Sequence, residues 1–258
     1  MKVIILTSSE KGTAAHHLPY IIESGACEIC MVLLCGTEVK SRKAHYLKKL
    51  RKIIKIGLLG ALNGVRMRKW YAGVEKLKPI ENIESICRKK QISFYRTPSI
   101  NHSNTEELFK RSGAEVGISL GNGYIGKKIF SIPKYGMINI HHEMLPEYQN
   151  AQSIIWQLYN KSRYTGYTIH KINSGIDAGK IIYSEKVPIT FAESLPDTIA
   201  KTSVSLLEAS AKGLIHVLKN FSELFSNARA QGKGTRYTTP TFRQYLRIRK
   251  NFGEMKRK

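Results

Sequence analysis

The sequence predicts an α/β fold, a parallel sheet with helices packed on both faces, and three observations predict it. Short apolar runs such as KVIILT, EVGISL and GMINIH have the length and continuous hydrophobicity of strands buried on both faces. Segments of helical period separate these runs, as crossovers between parallel strands require. The chain has 258 residues, 42% of them apolar, which is enough to enclose a sizeable core.

Taken in order, Lys2 to Thr7 reads as the first strand, Ala14 to Glu23 as a helix and Cys27 to Cys35 as the second strand. After a basic segment, Glu81 to Lys90 is helical, Ile92 to Arg96 a strand and Thr105 to Ser112 a helix. Glu115 to Leu120 and Gly136 to His141 follow as strands, and Ala151 to Asn160 as a helix. Thr165 to Ile189 reads as two strands around a turn marked by Asn173-Ser174-Gly175 and Gly179, with Asp177 at its tip. Leu195 to Phe221 reads as a long helix, and the last thirty residues read as a basic arm or an irregular tail. The expected organisation is a catalytic domain over 1–190, carrying a basic insertion at about 40–78, and a helix with a basic arm over 191–258.

Composition excludes several classes. No run of eighteen apolar residues exists, so no helix is expected to span a membrane, and MKVIILTSSE is too short in its apolar part for a secretion signal. A cytoplasmic protein is expected. Four cysteines do not suit a disulfide scaffold of this length; Cys27-x-x-Cys30 has redox or zinc spacing, but it lies in a strand pattern without a second ligand pair, so core packing is the expected role and no metal site is expected. The formal net charge is +23, of which Lys40 to Lys78 carry +12 and Arg229 to Lys258 carry +9, leaving a nearly neutral body at +2.

In a parallel sheet, ligands bind at the carboxyl ends of the strands. Asn139-x-His141 stands at one such end, and Asp177 returns 36 residues later. An amide and an imidazole can polarise a carbonyl and hold its developing negative charge. A neighbouring carboxylate favours the imidazolium and relays a proton. Such a set suits acyl transfer to an amine without a protein nucleophile; a capped strand end with surface histidines is the other reading. His142 should point to the opposite side of the strand and reads as structural. The pair His16-His17 reads either as a functional group or as a surface pair at a helix start.

MINIHHEMLPEYQNAQSIIWQL followed by TGYTIHKINSGIDAGKII resembles the signature of the formyltetrahydrofolate-dependent formyltransferases, most of all the sugar N-formyltransferases. The matching positions are Asn139, His141, Leu145, Pro146, Trp156, Thr168, His170 and Gly175-Ile176-Asp177-Ala178-Gly179. The resemblance is strong from about Glu115 to Ile189 and fades in the basic segments. It implies a Rossmann-like formyltransferase fold, N10-formyltetrahydrofolate as co-substrate and no metal. It makes Asn139 and His141 the oxyanion-stabilising pair and Asp177 the residue that orients or charges His141 and carries the amine proton. Gly121, Asn122, Gly123, Tyr124 and Ile125, with Ile172, Gly175 and Ile176, become the expected cofactor contacts. His170 matches a supporting histidine of the family, with packing an equal alternative.

Where the tRNA-type enzymes continue Leu-Pro-x-x-Arg-Gly, this chain has Gln149-Asn150, and their small residue ahead of Leu-Leu-Pro is Glu143. The acceptor is therefore the open point. A nucleotide-linked amino sugar is the expected acceptor, a GDP- or dTDP-linked 4-amino-4,6-dideoxy sugar such as GDP-perosamine used for O-antigen and lipopolysaccharide synthesis. Glu143, Gln149, Trp156, His170 and Tyr237 are the weaker substrate candidates, and Tyr164 and Tyr245 are further stacking candidates. The alternatives are a methionyl-tRNA-type formyltransferase, a formyltetrahydrofolate hydrolase, or a non-enzymatic module that binds membranes or polyanions. A surface of this charge attracts any polyanion, but no RNA-binding motif is present, so nucleic acid is the less favoured partner. KAHYLKKLRKIIKIGLLGAL has an apolar stripe among lysines, the pattern of a helix lying on an anionic membrane; a helix packed on the domain with a solvated basic face is the other reading. The resemblance also implies a homodimer; on the membrane reading of the basic helix, the cytoplasmic protein is expected to be peripheral at the inner membrane surface.

Overall fold

The computed structural model describes residues 1–36 and 42–257; Lys40 and Lys258, which begin and end the two basic stretches, lie outside them. In chain order the first half contains β1 (Lys2–Thr7), α1 (Thr13–Ser24), β2 (Glu28–Cys35), α2 (Arg42–Ile56), α3 (Leu58–Trp70), α4 (Gly73–Leu77), α5 (Ile83–Lys89), β3 (Phe94–Thr97) and α6 (Ser103–Ser112). The second half contains β4 (Val116–Ser119), α7 (Lys127–Phe130), β5 (Met137–His141), α8 (Ile155–Tyr159), β6 (Tyr164–Lys171), β7 (Ile181–Pro188), α9 (Leu195–Lys219), α10 (Phe221–Ser226) and α11 (Phe242–Lys256).

These seven strands form one sheet in the order β3-β2-β1-β4-β5-β6-β7. The pairs among β1 to β5 are parallel, and β6 and β7 join antiparallel at one edge. Both faces are covered, as the unbroken apolar strands require. In β1, Val3 and Ile5 pack in the cluster that includes Leu18 of α1 and Leu214 of α9, while Ile4 and Leu6 pack with Phe109 of α6 and Ile129 of α7. Gly213 lets α9 settle on the sheet, because a Cβ there would stand 1.9 Å from Tyr167 Oη of β6. A third apolar cluster joins Met67 and Trp70 of α3, Leu158 of α8 and Ile248 of α11 beside the sheet edge.

Two expectations are revised. The C-terminal arm is not irregular: Thr241 caps α11 in a reciprocal capping box with Gln244, and Tyr245, Ile248 and Met255 bury its inner side. Neither histidine of the pair in α1 is a surface residue: His16 and His17 are both buried, because the helix packs that side against α9. The long helix α9 begins at a Ser194 cap that accepts from Asp197 N–H, with Pro196 in its first turn, where a missing N–H costs no internal bond. Among the described residues no helix is long and apolar enough to cross a membrane.

Candidate functional site

Strand β5 is central in the sheet, pairing Ser119↔Asn139 with β4 and Asn139↔His170 and His141↔Thr168 with β6. Residues two apart on a strand share a face. Asn139 and His141 therefore lie on one face, with Met137 below them in the cluster under α6 and α7. Ile138 and Ile140 face the layer of α1 and α9. At the end of the strand His142 also reaches that layer, with Nε2 3.1 Å from Ser210 Oγ of α9. The adjacent imidazoles thus serve two different layers.

The hydrogen bonds fix the orientation of the Asn139 amide. His170 Nδ1 is 2.9 Å from the Lys171 carbonyl, which can only accept, so Nδ1 carries the hydrogen and Nε2 is left as an acceptor. That acceptor lies 3.2 Å from Asn139 Nδ2, and burial pushes the His170 pKa down, keeping the ring neutral for this role. One amide N–H is thereby committed to His170, leaving the second for a ligand. By the same logic His141 Nε2, 3.0 Å from the Tyr148 carbonyl, carries hydrogen and donates, while Nδ1 faces Asp177 Oδ2 at 3.9 Å.

Asp177 sits in the loop between β6 and β7 with φ +50°, and its carboxylate lies between two imidazoles, 3.9 Å from His141 Nδ1 and 3.9 Å from His170 Nε2. Both gaps are too long for hydrogen bonds. Asn150 N–H donates to Oδ2 at 3.1 Å, and among the described residues Oδ1 carries no hydrogen bond. Asn150 itself adopts φ +52°, a left-handed conformation that asparagine tolerates better than most residues. The segment after α10 crosses this loop as a strap. Gln231 Nε2 donates to the Asp177 and Gly179 carbonyls at 2.9 and 2.7 Å, and Gln149 pairs with Arg236 in a parallel bridge. Gly234 permits the crossing, since a Cβ there would meet the Pro146 carbonyl at 2.4 Å.

Beneath this loop the Glu143 carboxyl is buried, and its Oε2 accepts from Gln157 Nε2. Burial pushes its pKa well above the ordinary carboxyl range, because the charged form loses its solvation there and the Gln157 donor only partly offsets the loss. Ile154 adopts φ +72°, a costly conformation for a β-branched residue. On the opposite side, Ser210 Oγ also meets His17 Nε2 at 3.0 Å. Burial lowers the pKa of His142 to about 4 and that of His17 well below the ordinary imidazole value.

A cavity of about 470 Å³ opens at the carboxyl ends of β4 and β5, beside the point where strand order reverses about β1. Asn139, His141, Glu143, His170, Asp177 and Ser153 line it. The same cavity meets Gly121, Asn122, Gly123, Tyr124, Ile125, Ile172, Gly175 and Ile176. Asn122 turns its side chain inward, donating to the Leu6 carbonyl at 2.7 Å and accepting from Ser8 Oγ at 2.9 Å, which anchors the loop. Asn101 braces the loop's far end, accepting from Gly126 N–H at 2.7 Å and donating to the Tyr124 carbonyl at 3.1 Å. Tyr124 and Ile176 stand 57% and 50% exposed at the cavity wall and present apolar surface there.

The model for the family described as Formyl transferase matches residues 68–218, more than half of the chain. The chain belongs to the Formyl transferase family. A methionyl-tRNA formyltransferase of Caldicellulosiruptor saccharolyticus is 40% identical over 119 residues, 46% of this chain and 37% of that protein. The chain spans 37% to 53% of the length of the curated relatives it matches. Glycinamide ribonucleotide transformylase 1 of Symbiobacterium toebii shares the fold, with a TM-score of 0.58 at 12% identity over 90% of this chain and 93% of that one. So does a sugar N-formyltransferase of Shewanella sp. FDAARGOS_354, with a TM-score of 0.55 at 13% identity over 97% of this chain and 87% of that one. WlaRD, a sugar 3N-formyl transferase solved in the presence of dTDP and 5-N-formyl-THF, has a TM-score of 0.53 at 17% identity over 92% of this chain and 69% of that one.

Within this formyl transferase fold the weaker sequence candidates separate from one another. Glu143 and His170 line the cavity, whereas Gln149, Trp156 and Tyr237 lie outside its lining. Trp156 is buried and donates from Nε1 to the Thr238 carbonyl at 3.0 Å. Tyr237 stacks between Tyr148 and Trp156, with ring centroids 5.4 and 4.6 Å away, so these rings fasten the strap. Tyr245 is buried against Trp70, and Tyr164 is exposed at the start of β6. Sequence reasoning missed Asn150 as the carboxylate's donor, Ser153 in the cavity wall and Gln231 in the strap. Only Asn150 had a signal, since it occupies the place of the glycine in Leu-Pro-x-x-Arg-Gly. Cys27 and Cys30 are free thiols, and burial raises Cys27 to about 11, which leaves it unreactive. Among the described residues no group of three His, Cys, Asp or Glu side chains is placed to hold a metal ion.

Proposed function

We propose that this chain transfers a formyl group from N10-formyltetrahydrofolate to the amino group of a nucleotide-linked amino sugar. One observation carries the reading: Asn139, His141 and Asp177 converge on one cavity, with an amide N–H and a carboxylate oxygen left open toward it. The folate fits the residues present. Tyr124 and Ile176 offer apolar faces for a flat ring, and the inward-turned Asn122 leaves the backbone of Gly121 to Gly123 free to bond ring heteroatoms.

When bound, N10-formyltetrahydrofolate supplies an electrophilic formyl carbon on a nitrogen leaving group. Asn139 directs its uncommitted N–H at the formyl oxygen and stabilises the negative charge that gathers there. His141, held by the Tyr148 carbonyl, presents its Nδ1 edge beside it and donates when doubly protonated. Asp177 Oδ1 accepts a proton from the attacking amine and returns it toward the leaving nitrogen, directly or through water. A C–N bond forms to the acceptor, the C–N10 bond breaks, and one proton passes from acceptor to leaving group.

For the acceptor, the polar end of the cavity supports a hydroxyl-rich molecule. Glu143 and Ser153 line it, and Glu143 Oε1 and Ser153 Oγ are buried without a hydrogen-bond partner among the described residues. A sugar hydroxyl can donate to one and accept from the other. The 40% identity to a methionyl-tRNA formyltransferase over 119 residues favours initiator tRNA as the second reading. The test is a formyl-transfer assay with N10-formyltetrahydrofolate against a panel of GDP- and dTDP-linked amino sugars, with initiator methionyl-tRNA alongside. Product from a nucleotide-linked amino sugar supports the proposal, and product from the tRNA alone replaces the acceptor. Formate released without acceptor product means hydrolysis.

A further inference from the structure

Helices α2 and α3 form a hairpin whose two sides differ. The inner side of α3 is used by the protein. Gly60, Gly64, Met67 and Trp70 are buried, and a Cβ at Gly64 would stand 2.6 Å from Thr239 Cγ2 in the strap, so glycine there allows close approach. The outer side has no such partner among the described residues. Nine large apolar side chains more than a third exposed fall between Tyr46 and Val65, against eight in all the rest of the described chain. Ile54, Leu58 and Leu62 are 75%, 67% and 60% exposed and follow one another at helical spacing across the Gly57 bend. A monomer in water does not keep such a patch without a use.

The charge around the patch identifies its occupant. Residues 42–70 contain ten Lys or Arg and no Asp or Glu. Lys49, Arg51, Lys55, Arg66, Arg68 and Lys69 are exposed. A second copy of the chain would bring two such all-positive surfaces face to face. Nucleic acid would satisfy the cations and leave the leucines and isoleucines in water. A bilayer with anionic headgroups answers both features, accepting the apolar side chains below the headgroups and the cations among them.

We propose that the α2–α3 hairpin docks the protein on an anionic lipid bilayer, with Ile54, Leu58 and Leu62 inserted and the surrounding lysines and arginines at the headgroups. Because α3 packs on the strap that crosses the Asp177 loop, docking turns a fixed side of the catalytic body toward the membrane. The proposal stands independently of which acceptor is formylated.

The test is co-sedimentation of the full chain with phosphatidylcholine vesicles, with and without phosphatidylglycerol. Binding is expected only where phosphatidylglycerol is present, and it should weaken with added salt. Ile54→Glu, Leu58→Glu and Leu62→Glu combined should lower partitioning by about tenfold or more while leaving the thermal midpoint unchanged. A second variant, Leu58→Trp, keeps the surface apolar, and the fluorescence of its added indole should be quenched by brominated phosphatidylglycerol. Absence of binding, undiminished binding by the triple variant, or an added indole signal that stays unquenched overturns the proposal. So does a solution dimer that the triple variant abolishes, which would make the patch a contact between copies.

Discussion

Asn139 Nδ2 lies 3.2 Å from His170 Nε2, and the Lys171 carbonyl, 2.9 Å from His170 Nδ1, forces that imidazole to accept. The amide is therefore held with its NH₂ rather than its oxygen in the place from which it can reach a formyl oxygen. In His170→Ala the amide has no such partner and rotates. The expected result is a fall in kcat of about tenfold to a hundredfold with the KM for folate little changed. Titrating the folate-binding sites of the same preparation separates this from a structural lesion, which lowers the number of sites, whereas a misoriented amide slows turnover per site.

Asn150 adopts φ +52° and delivers its N–H to Asp177 Oδ2 at 3.1 Å. Glycine adopts this conformation freely, so Asn150→Gly should retain both fold and turnover. Asn150→Val should cost roughly 1–3 kcal/mol and release the carboxylate. Thermal unfolding and kcat measured on the same preparations check both outcomes.

The buried Glu143 carboxyl gives a pH signature whose direction follows from linkage. Its pKa in the folded protein is raised above the ordinary value of about 4.3, so between those two values the folded state holds the extra proton. Stability falls as the pH rises through that window. Glu143→Gln keeps the shape and removes the titration. Its thermal midpoint should exceed the wild-type value at pH 8, and the difference should shrink toward pH 5. A variant equally destabilised at both pH values would show that the charge was not responsible.

His142 works in the opposite sense. Its pKa is lowered from an ordinary value of about 6.5 to about 4, so below pH 6.5 the unfolded chain binds the proton more readily. Stability is present above that pH and is lost on acidification through the window, at up to roughly 1.4 kcal/mol per pH unit for one site. His142→Gln, which keeps a polar partner for Ser210, should flatten the acid limb by one proton. The buried His17, shifted in the same direction, accounts for a remaining slope. Denaturant midpoints at pH 5, 6 and 7 give the measurement.

Much of this architecture was legible in the residues. Unbroken apolar strands announced a sheet covered on both faces, and the chain's turns placed Asn139 and Asp177 at its open end. What the sequence hid has physical reasons. The helix α11 carries a capping box at Thr241 and Gln244 and an apolar repeat at Tyr245, Ile248 and Met255, but its many lysines and arginines masked that period. The strap depends on pairings such as Gln149 with Arg236, far apart in sequence and between residues of no distinctive type. Trp156 and Tyr237 read equally well as stacking platforms or as packing, and only three-dimensional placement shows their rings against each other. The backbone conformation of Ile154 runs against the preference of a β-branched residue, and its local sequence gives no sign of it.

The central claim is that an open carboxylate at Asp177 takes the acceptor's proton while Asn139 and His141 hold the formyl oxygen. Asp177→Asn keeps the side chain's size and removes its capacity to accept that proton as a carboxylate. Single-turnover formyl transfer by this variant, with folate binding measured in parallel, is the direct test. Transfer slowed by about a thousandfold or more with folate affinity retained is the predicted result. Transfer at the wild-type rate would contradict the mechanism and remove Asp177 from the chemistry.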